Sequence, residues 1–382
     1  MPVITCGGMR YQQSWQDVEL SEVEAANQAN LEACIRAALA AGINHIETAR
    51  GYGSSERQLG QILPTLPRDE MIIQTKVGPA DTGEGFLAGF NTSMDRLKLD
   101  HVDLLAIHGI NNRALLEMTV KPGGSLDMAL ELKKQGRCRH VGFSTHGPTD
   151  VIVDACETGR FDYVNLHWYW SDQANWPAVE AATRQDMGVF IISPNDKGGQ
   201  LYRPSDKLVE LCAPLSPMVF NDLFCLRDER VHTISIGAAR PSDFDPAIEA
   251  AALLPQVEQL LPPILERLDQ AGAEALGADW MAGWHQGLPD TDSVPGTINL
   301  YQILRLYTLA KAYDMTEFAR SRHGLFGNGG HWFYGNQADK LDLGTIPPLL
   351  AACPVAERVP AALAEAQTLL VGEQHKRLSE SG

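Results

Sequence analysis

Eight short apolar segments, each followed by an amphipathic helical one, occupy the first part of this chain, and that alternation constrains its fold more than any other feature. Strands are expected over 2–9, 43–48, 70–76, 102–108, 138–144, 161–168, 188–193 and 231–236. Helices are expected between them over 24–41, 54–63, 85–97, 124–135, 149–158, 177–186 and within 205–230, with a last one over 242–254. The 24–41 segment is typical: Leu31, Ile35, Ala38 and Leu39 share one stripe and Gly42 stops it. Val102 to His108 is almost continuously apolar, as befits a strand covered on both faces. Strands and helices alternating at this spacing imply a parallel sheet with right-handed crossovers. Eight repeats in roughly 250 residues favour a closed (β/α)8 TIM barrel over an open sheet. The absence of GxGxxG after the first strand points the same way.

After Leu254 the rhythm breaks. Residues 255–382 carry helical patterns over 256–270, 298–320 and 359–373 and no convincing strand. The chain is therefore expected to be an α/β protein of two parts. A barrel over 1–254 would carry a helical C-terminal extension, 255–382, packed on it, with the residues from Arg377 onward disordered.

Composition narrows the possible ligands. With 31 basic against 48 acidic residues the formal charge is -17, which repels nucleic acid and anionic lipid. An anionic ligand must then be held by a few placed groups. The cysteines, Cys6, Cys34, Cys138, Cys156, Cys212, Cys225 and Cys353, are scattered singly, a pattern suited to reduced thiols rather than a disulfide framework or zinc site. No run approaches a membrane span and no charged-then-apolar leader opens the chain. A cytoplasmic protein with no nucleic-acid or membrane partner is expected.

The chemistry gathers at strand ends. Glu47 ends the second strand, and Gly51 and Gly53 turn the chain toward a helix with Ser54 as expected N-cap and Glu56 in its first turn. Tyr52 lies in that turn. Lys76 closes the third strand and His108 the fourth. Ending an apolar strand in lysine or histidine is costly unless the side chain faces a polar cavity or a partner. In a parallel barrel the carboxyl ends of all strands share one open face. A structural Glu–Lys pair beside a hydrogen-bonded histidine is the alternative to a reactive centre.

At these residues the chain resembles the aldo-keto reductases. Their second strand reads D-T-A-x-x-Y-G-x-S-E, and here stand Glu47-Thr48-Ala49-Arg50-Gly51-Tyr52-Gly53-Ser54-Ser55-Glu56. The resemblance spans about residues 3–250, and its one departure at the centre is Glu47 in place of aspartate, which leaves the reach to Lys76 open. It implies an NADP(H)-dependent oxidoreductase reducing an aldehyde or ketone to an alcohol, NAD(H) being the lesser cofactor. Tyr52 would be the general acid, with Lys76, Glu47 and His108 assisting. The physics agrees: tyrosine has a reference pKa of about 10 and needs a neighbouring ammonium to work near neutrality.

The same resemblance supplies cofactor residues. Ser144, where the family has G-x-S-N and this chain has Thr145 next, would hold the carboxamide with Asn165. Ser193-Pro194-Asn195-Asp196-Lys197-Gly198 resembles the S-P-L-x-x-G loop, so Ser193, Lys197 and Gly198 would line the pyrophosphate. Ser235-Ile236-Gly237-Ala238-Ala239-Arg240-Pro241 resembles I-P-G-A-S-R-P, which brings in Gly237, Ala239 and Arg240, the last for a 2′-phosphate. The adenine pattern that follows in the family is replaced by Asp243, Pro246 and Ala247. Together with Glu47 and Thr145, that loss keeps a non-catalytic nicotinamide-binding regulator open as the alternative. His167-Trp168-Tyr169-Trp170 could wall a substrate pocket or pack beneath the extension. The tail from Phe326 to Phe333, with Cys353-Pro354, resembles a ferredoxin-like appendage. Leu343, Ile346 and Leu349 stand where that subgroup has cysteines, so neither an iron–sulfur cluster nor any other metal is expected. A redox or regulatory protein partner at this extension is the remaining expectation.

Overall fold

A computed structural model describes residues 1–337, 339 and 341–372; the segment from Arg377 onward lies outside the described residues. The chain forms two compact units, the first comprising Met1–Gly198 and Asn221–Pro255, the second Gly199–Phe220 and the described residues of 256–372.

The first unit is a closed parallel barrel with strand order β1 to β8. Its strands are β1 (Ile4–Gly7), β2 (His45–Glu47), β3 (Ile72–Val77), β4 (Val102–His108), β5 (Cys138–Ser144), β6 (Tyr163–Leu166), β7 (Gly188–Ile192) and β8 (Thr233–Gly237). β1 closes the ring against β8, with Cys6 opposite Ile236 and Gly7 opposite Gly237. The crossovers run through α1 (Ala25–Ala40), α2 (Ser55–Ile62), α3 (Gly83–Leu97), α4 (Arg113–Val120), α5 (Ser125–Lys134), α6 (Thr149–Glu157) and α7 (Trp176–Arg184). The eight expected strands, and the helices expected between them as far as residue 186, are all present. α4 is an addition, and its sequence signal is the cap: Asn112 accepts from the Leu115 N–H and so satisfies one orphan donor of the first turn.

Residues two apart on a strand point to the same side. The inward layer built by Thr5, His45, Gln74 and Asn165 is polar and continuously hydrogen-bonded. Thr5 Oγ1 meets His45 Nδ1 at 2.7 Å, His45 Nε2 meets Gln74 Oε1 at 3.0 Å, and Gln74 Nε2 donates to Asn165 Oδ1 at 2.8 Å. Leu104, Ala106, Tyr163 and Phe190 fill the apolar part of the interior. Stepping two residues further along β2, β3 and β8 leads from His45, Gln74 and Thr233 to Glu47, Lys76 and Ser235. The buried network is thus the floor of the site.

Before the second unit's later helices come, in chain order across both units, α8 (Pro194–Lys197), α9 (Asp206–Cys212), α10 (Pro217–Leu226), α11 (Asp245–Leu253), α12 (Val257–Leu276) and α13 (Ala278–Gly283); the expected 298–320 helix is then two, α14 (Leu300–Tyr313) and α15 (Thr316–His323). Asp314 adopts a left-handed conformation, φ 55°, which ends α14. α14 is buried almost all round and packs on α12, α15 and α16 (Val359–Leu369), while Trp280 Nε1 donates to Thr308 Oγ1 at 2.9 Å. The stretch aligned with the ferredoxin-like appendage forms short 3-10 turns, with Ile346 and Leu350 buried. Among the described residues no group of three or more His, Cys, Asp or Glu could hold a metal ion, and no single helix is long and apolar enough to cross a membrane.

Candidate active site

The turn after β2 is held by small residues at close quarters. Thr48 Oγ1 meets Ser55 Oγ at 2.8 Å, and Ser55 Oγ donates to the Gly8 carbonyl at 2.9 Å, tying the turn to the end of β1. Gly53 sits at φ 51°, and a Cβ there would lie 2.0 Å from the Ser14 carbonyl oxygen, so only glycine lets the turn dock on the Ser14–Trp15 backbone. Trp15 is thereby set edge-on to Tyr52, with ring centroids 5.9 Å apart. Ser54 departs from the expected role. Its hydroxyl makes no cap bond and instead joins Gln58 Oε1 at 2.9 Å, while Glu56 is buried and accepts from Thr75 Oγ1 at 2.6 Å.

Three side chains at the carboxyl ends of β2, β3 and β4, those of Glu47, Lys76 and His108, lie around Tyr52 of the turn after β2. Lys76 Nζ donates to Glu47 Oε1, to the Thr48 carbonyl at 3.1 Å and to Tyr52 Oη at 3.3 Å. The glutamate therefore reaches the lysine despite its extra methylene. What accommodates the length is Ser235 on β8, whose Oγ donates to Glu47 Oε2 at 2.6 Å. Gly7 makes room for that hydroxyl: a Cβ on Gly7 would stand 2.8 Å from Ser235 Oγ. Lys76 and Glu47 are buried, whereas Tyr52 and His108 are half-buried at the mouth. His108 lies edge-on to Tyr52 with centroids 5.5 Å apart. Burial pulls the Lys76 pKa down, but the charges of Glu47 and Tyr52 and the hydrogen bonds to them outweigh it, so the ammonium is held above its usual value. The arrangement is a buried carboxylate–ammonium pair aimed at a phenol that opens to solvent.

The residues named for a cofactor lie on the same rim, on β5 to β8. Ser144 is buried, and its Oγ accepts from the Gly109 N–H at 3.2 Å, leaving its own proton to donate. Asn165 is buried, with Oδ1 taken by Gln74, so its amide nitrogen is the group it can offer. Ser193 adopts a left-handed φ of 54° and starts the short α8. Lys197 Nζ lies 3.2 Å from His146 Nδ1, and the Gly198 carbonyl accepts from Ser171 Oγ at 2.7 Å. Across this turn Arg10 pairs with Asp196 at 2.6 Å, and its side chain covers Gly237. Ala239 and Arg240 are exposed, and the Arg240 guanidinium is engaged by Asp243 at 3.0 Å. His167, from the aromatic stretch, joins His146 at 3.0 Å and Tyr169 Oη at 2.5 Å. Buried amide and hydroxyl donors on β5 and β6, followed on the next two loops by Lys197 and two aspartate-paired arginines, fit a nicotinamide dinucleotide.

Sequence reasoning missed Ser235, Trp15 and the Arg10–Asp196 pair as members of the site. Ser235 was within reach of it, because it precedes Gly237 by two and so shares its face of β8. The other two depend on how the loop after β1 folds back, which no local pattern encodes.

The sequence profile of the aldo/keto reductase family matches residues 3–193. An aldo-keto reductase of Mycobacterium sp. (strain KMS) is 34% identical over 138 residues, 35% of this chain and 48% of that protein. L-galactose dehydrogenase of Arabidopsis thaliana is 30% identical over 176 residues, 42% of this chain and 54% of that protein. The chain thus spans about half the length of these curated relatives. Among solved structures, the holo form of an aldo-keto reductase from Bacillus halodurans superposes with a TM-score of 0.57 at 18% identity, covering 69% of this chain and 91% of that one. An aldo-keto reductase from Klebsiella pneumoniae in complex with NADPH gives 0.53 at 20% identity, over 69% and 92%. These superpositions speak to the fold. The profile covers half of the chain, including β1 to β7 and the turn that carries Tyr52, and this protein belongs to the aldo/keto reductase family.

Proposed function

We propose that this protein is a nicotinamide-dependent oxidoreductase that reduces an aldehyde or ketone to an alcohol, with Tyr52 as the general acid. The observation that carries the reading is the Glu47–Lys76–Tyr52 chain, in which a buried, charge-balanced ammonium donates to a half-buried phenol. When bound, the nicotinamide supplies the hydride that a carbonyl carbon needs. The protein's own residues supply the proton and the charge stabilisation. Tyr52 Oη, and the His108 ring beside it, would hydrogen-bond the carbonyl oxygen as negative charge develops there. Tyr52 then gives up its proton, and Lys76 stabilises the phenolate left behind. Glu47 keeps Lys76 charged and aimed, and Ser235 keeps Glu47 from turning away. Ser144 and Asn165 would orient the nicotinamide carboxamide, and Ser193, Lys197, Gly198, Gly237, Ala239 and Arg240 would receive the phosphates and adenosine. Stopped-flow oxidation of NADPH or NADH with a panel of aldehydes and ketones tests the reading. Substrate-dependent loss of the nicotinamide absorbance is expected, and its absence across the panel with nucleotide bound would leave only a binding role.

A further inference from the structure

An internal carboxylate already fills the anion-binding corner of the loop after β8. Asp243 Oδ2 accepts from the Ala239 N–H at 2.8 Å and from the Arg240 N–H at 3.3 Å, while Oδ1 accepts from Arg240 Nε at 3.0 Å. Two backbone donors and one guanidinium thus converge on a single carboxylate. These are the donors that a phosphate on the adenosine ribose would need, since the loops after the last two strands are where a barrel gathers phosphates. Asp243 is the less exposed partner, with 29% of its side chain exposed against 75% for Arg240. The acid caps the short 3-10 turn Pro241–Phe244 and so belongs to the loop's own fold, with the more exposed arginine lying over it. A 2′-phosphate arriving here meets a carboxylate among its donors, where a 2′-hydroxyl meets a hydrogen-bond acceptor.

We infer that Asp243 is a specificity-determining residue that sets this protein against NADP(H) and makes NAD(H) the equal or preferred cofactor, reversing the preference that Arg240 alone implied. The inference rests on the nicotinamide-dependent reading above. Asp243 stands three residues beyond Arg240, so it stays within reach of anything that the guanidinium grips. A phosphate at that position would carry up to two charges within about 4 Å of the carboxylate, which even at the dielectric of water weakens binding by about tenfold or more.

The test is fluorescence titration of NADPH and NADH on the full chain. Asp243→Asn keeps the acceptor for the Ala239 N–H and removes the charge; Asp243→Ser is the second variant should the first disturb the loop. For the unaltered protein, NADH affinity should equal or exceed NADPH affinity. Asp243→Asn should tighten NADPH by about tenfold and leave NADH within about twofold. Adding Arg240→Ala to Asp243→Asn should abolish that gain, which shows that it runs through the freed guanidinium and not through overall charge. A NADPH-to-NADH ratio unmoved by either variant, or a gain that survives Arg240→Ala, overturns the inference while leaving the oxidoreductase reading intact. Failure of the unaltered protein to bind either nucleotide overturns both.

Discussion

Removing Lys76 should damage stability and chemistry by separable amounts. Its side chain is 1% exposed and that of Glu47 4%, and each is the other's charged partner. Lys76→Met leaves a buried carboxylate that, among the described residues, keeps the Ser235 hydroxyl as its hydrogen-bond donor, a loss expected to cost about 3–5 kcal/mol. Removing both charges in Glu47→Leu with Lys76→Met takes the uncompensated charge away. The double variant should therefore recover to within about 1–2 kcal/mol of the parent, the remainder being the Ser235 donor left without its acceptor. Activity should not recover, because Tyr52 has lost its ammonium. Urea unfolding at pH 7, compared with steady-state turnover, separates the two quantities. Measurement at neutral pH matters for the sign. The Lys76 pKa is raised in the folded state, so its contribution is complete below the ordinary lysine value and is lost only as pH climbs past it. A double variant as unstable as the sum of the two single ones would refute the reasoning, since it would mean that the charges do not answer each other.

Two further outcomes follow from residues around that pair. Ser235→Ala should lower kcat by about tenfold with KM nearly unchanged and shift the pH profile of turnover, and Ser235→Thr should restore it; an unchanged profile would make the serine a packing residue only. Burial lowers the His45 pKa to about 4, so as pH falls below about 6.5 the unfolded chain takes up a proton that the folded one refuses. The parent should lose about 3 kcal/mol relative to His45→Gln between pH 7 and pH 4, and parallel stability curves for the two proteins would show that His45 titrates normally.

The barrel was legible because its signal is local and repeated: an apolar strand, a glycine or cap, an amphipathic helix. The clustering of Glu47, Lys76 and His108 was legible for the same reason, since each lies at the carboxyl end of such a strand and topology alone brings strand ends together. What stayed hidden is contact across the sheet closure and between loops. Ser235 and Glu47 are 188 residues apart, and their meeting depends on β8 closing onto β1. Trp15 reaches Tyr52 only because the loop after β1 lies against Gly53. Asp243 read as a missing adenine contact, and its grip on Arg240 required the turn after β8 in three dimensions. The single expected helix over 298–320 failed at one residue, Asp314, whose left-handed backbone is not written in an apolar period.

The central claim, that Tyr52 is the proton donor of a carbonyl reductase, is tested most directly by Tyr52→Phe. The substitution removes one hydroxyl and keeps the ring that packs against Trp15 and His108. Nucleotide affinity should change little, while single-turnover carbonyl reduction should fall by about 10²–10⁴, the usual contribution of a positioned general acid. A Tyr52→Phe protein that binds nucleotide and reduces the same carbonyl as fast as the parent would contradict the account.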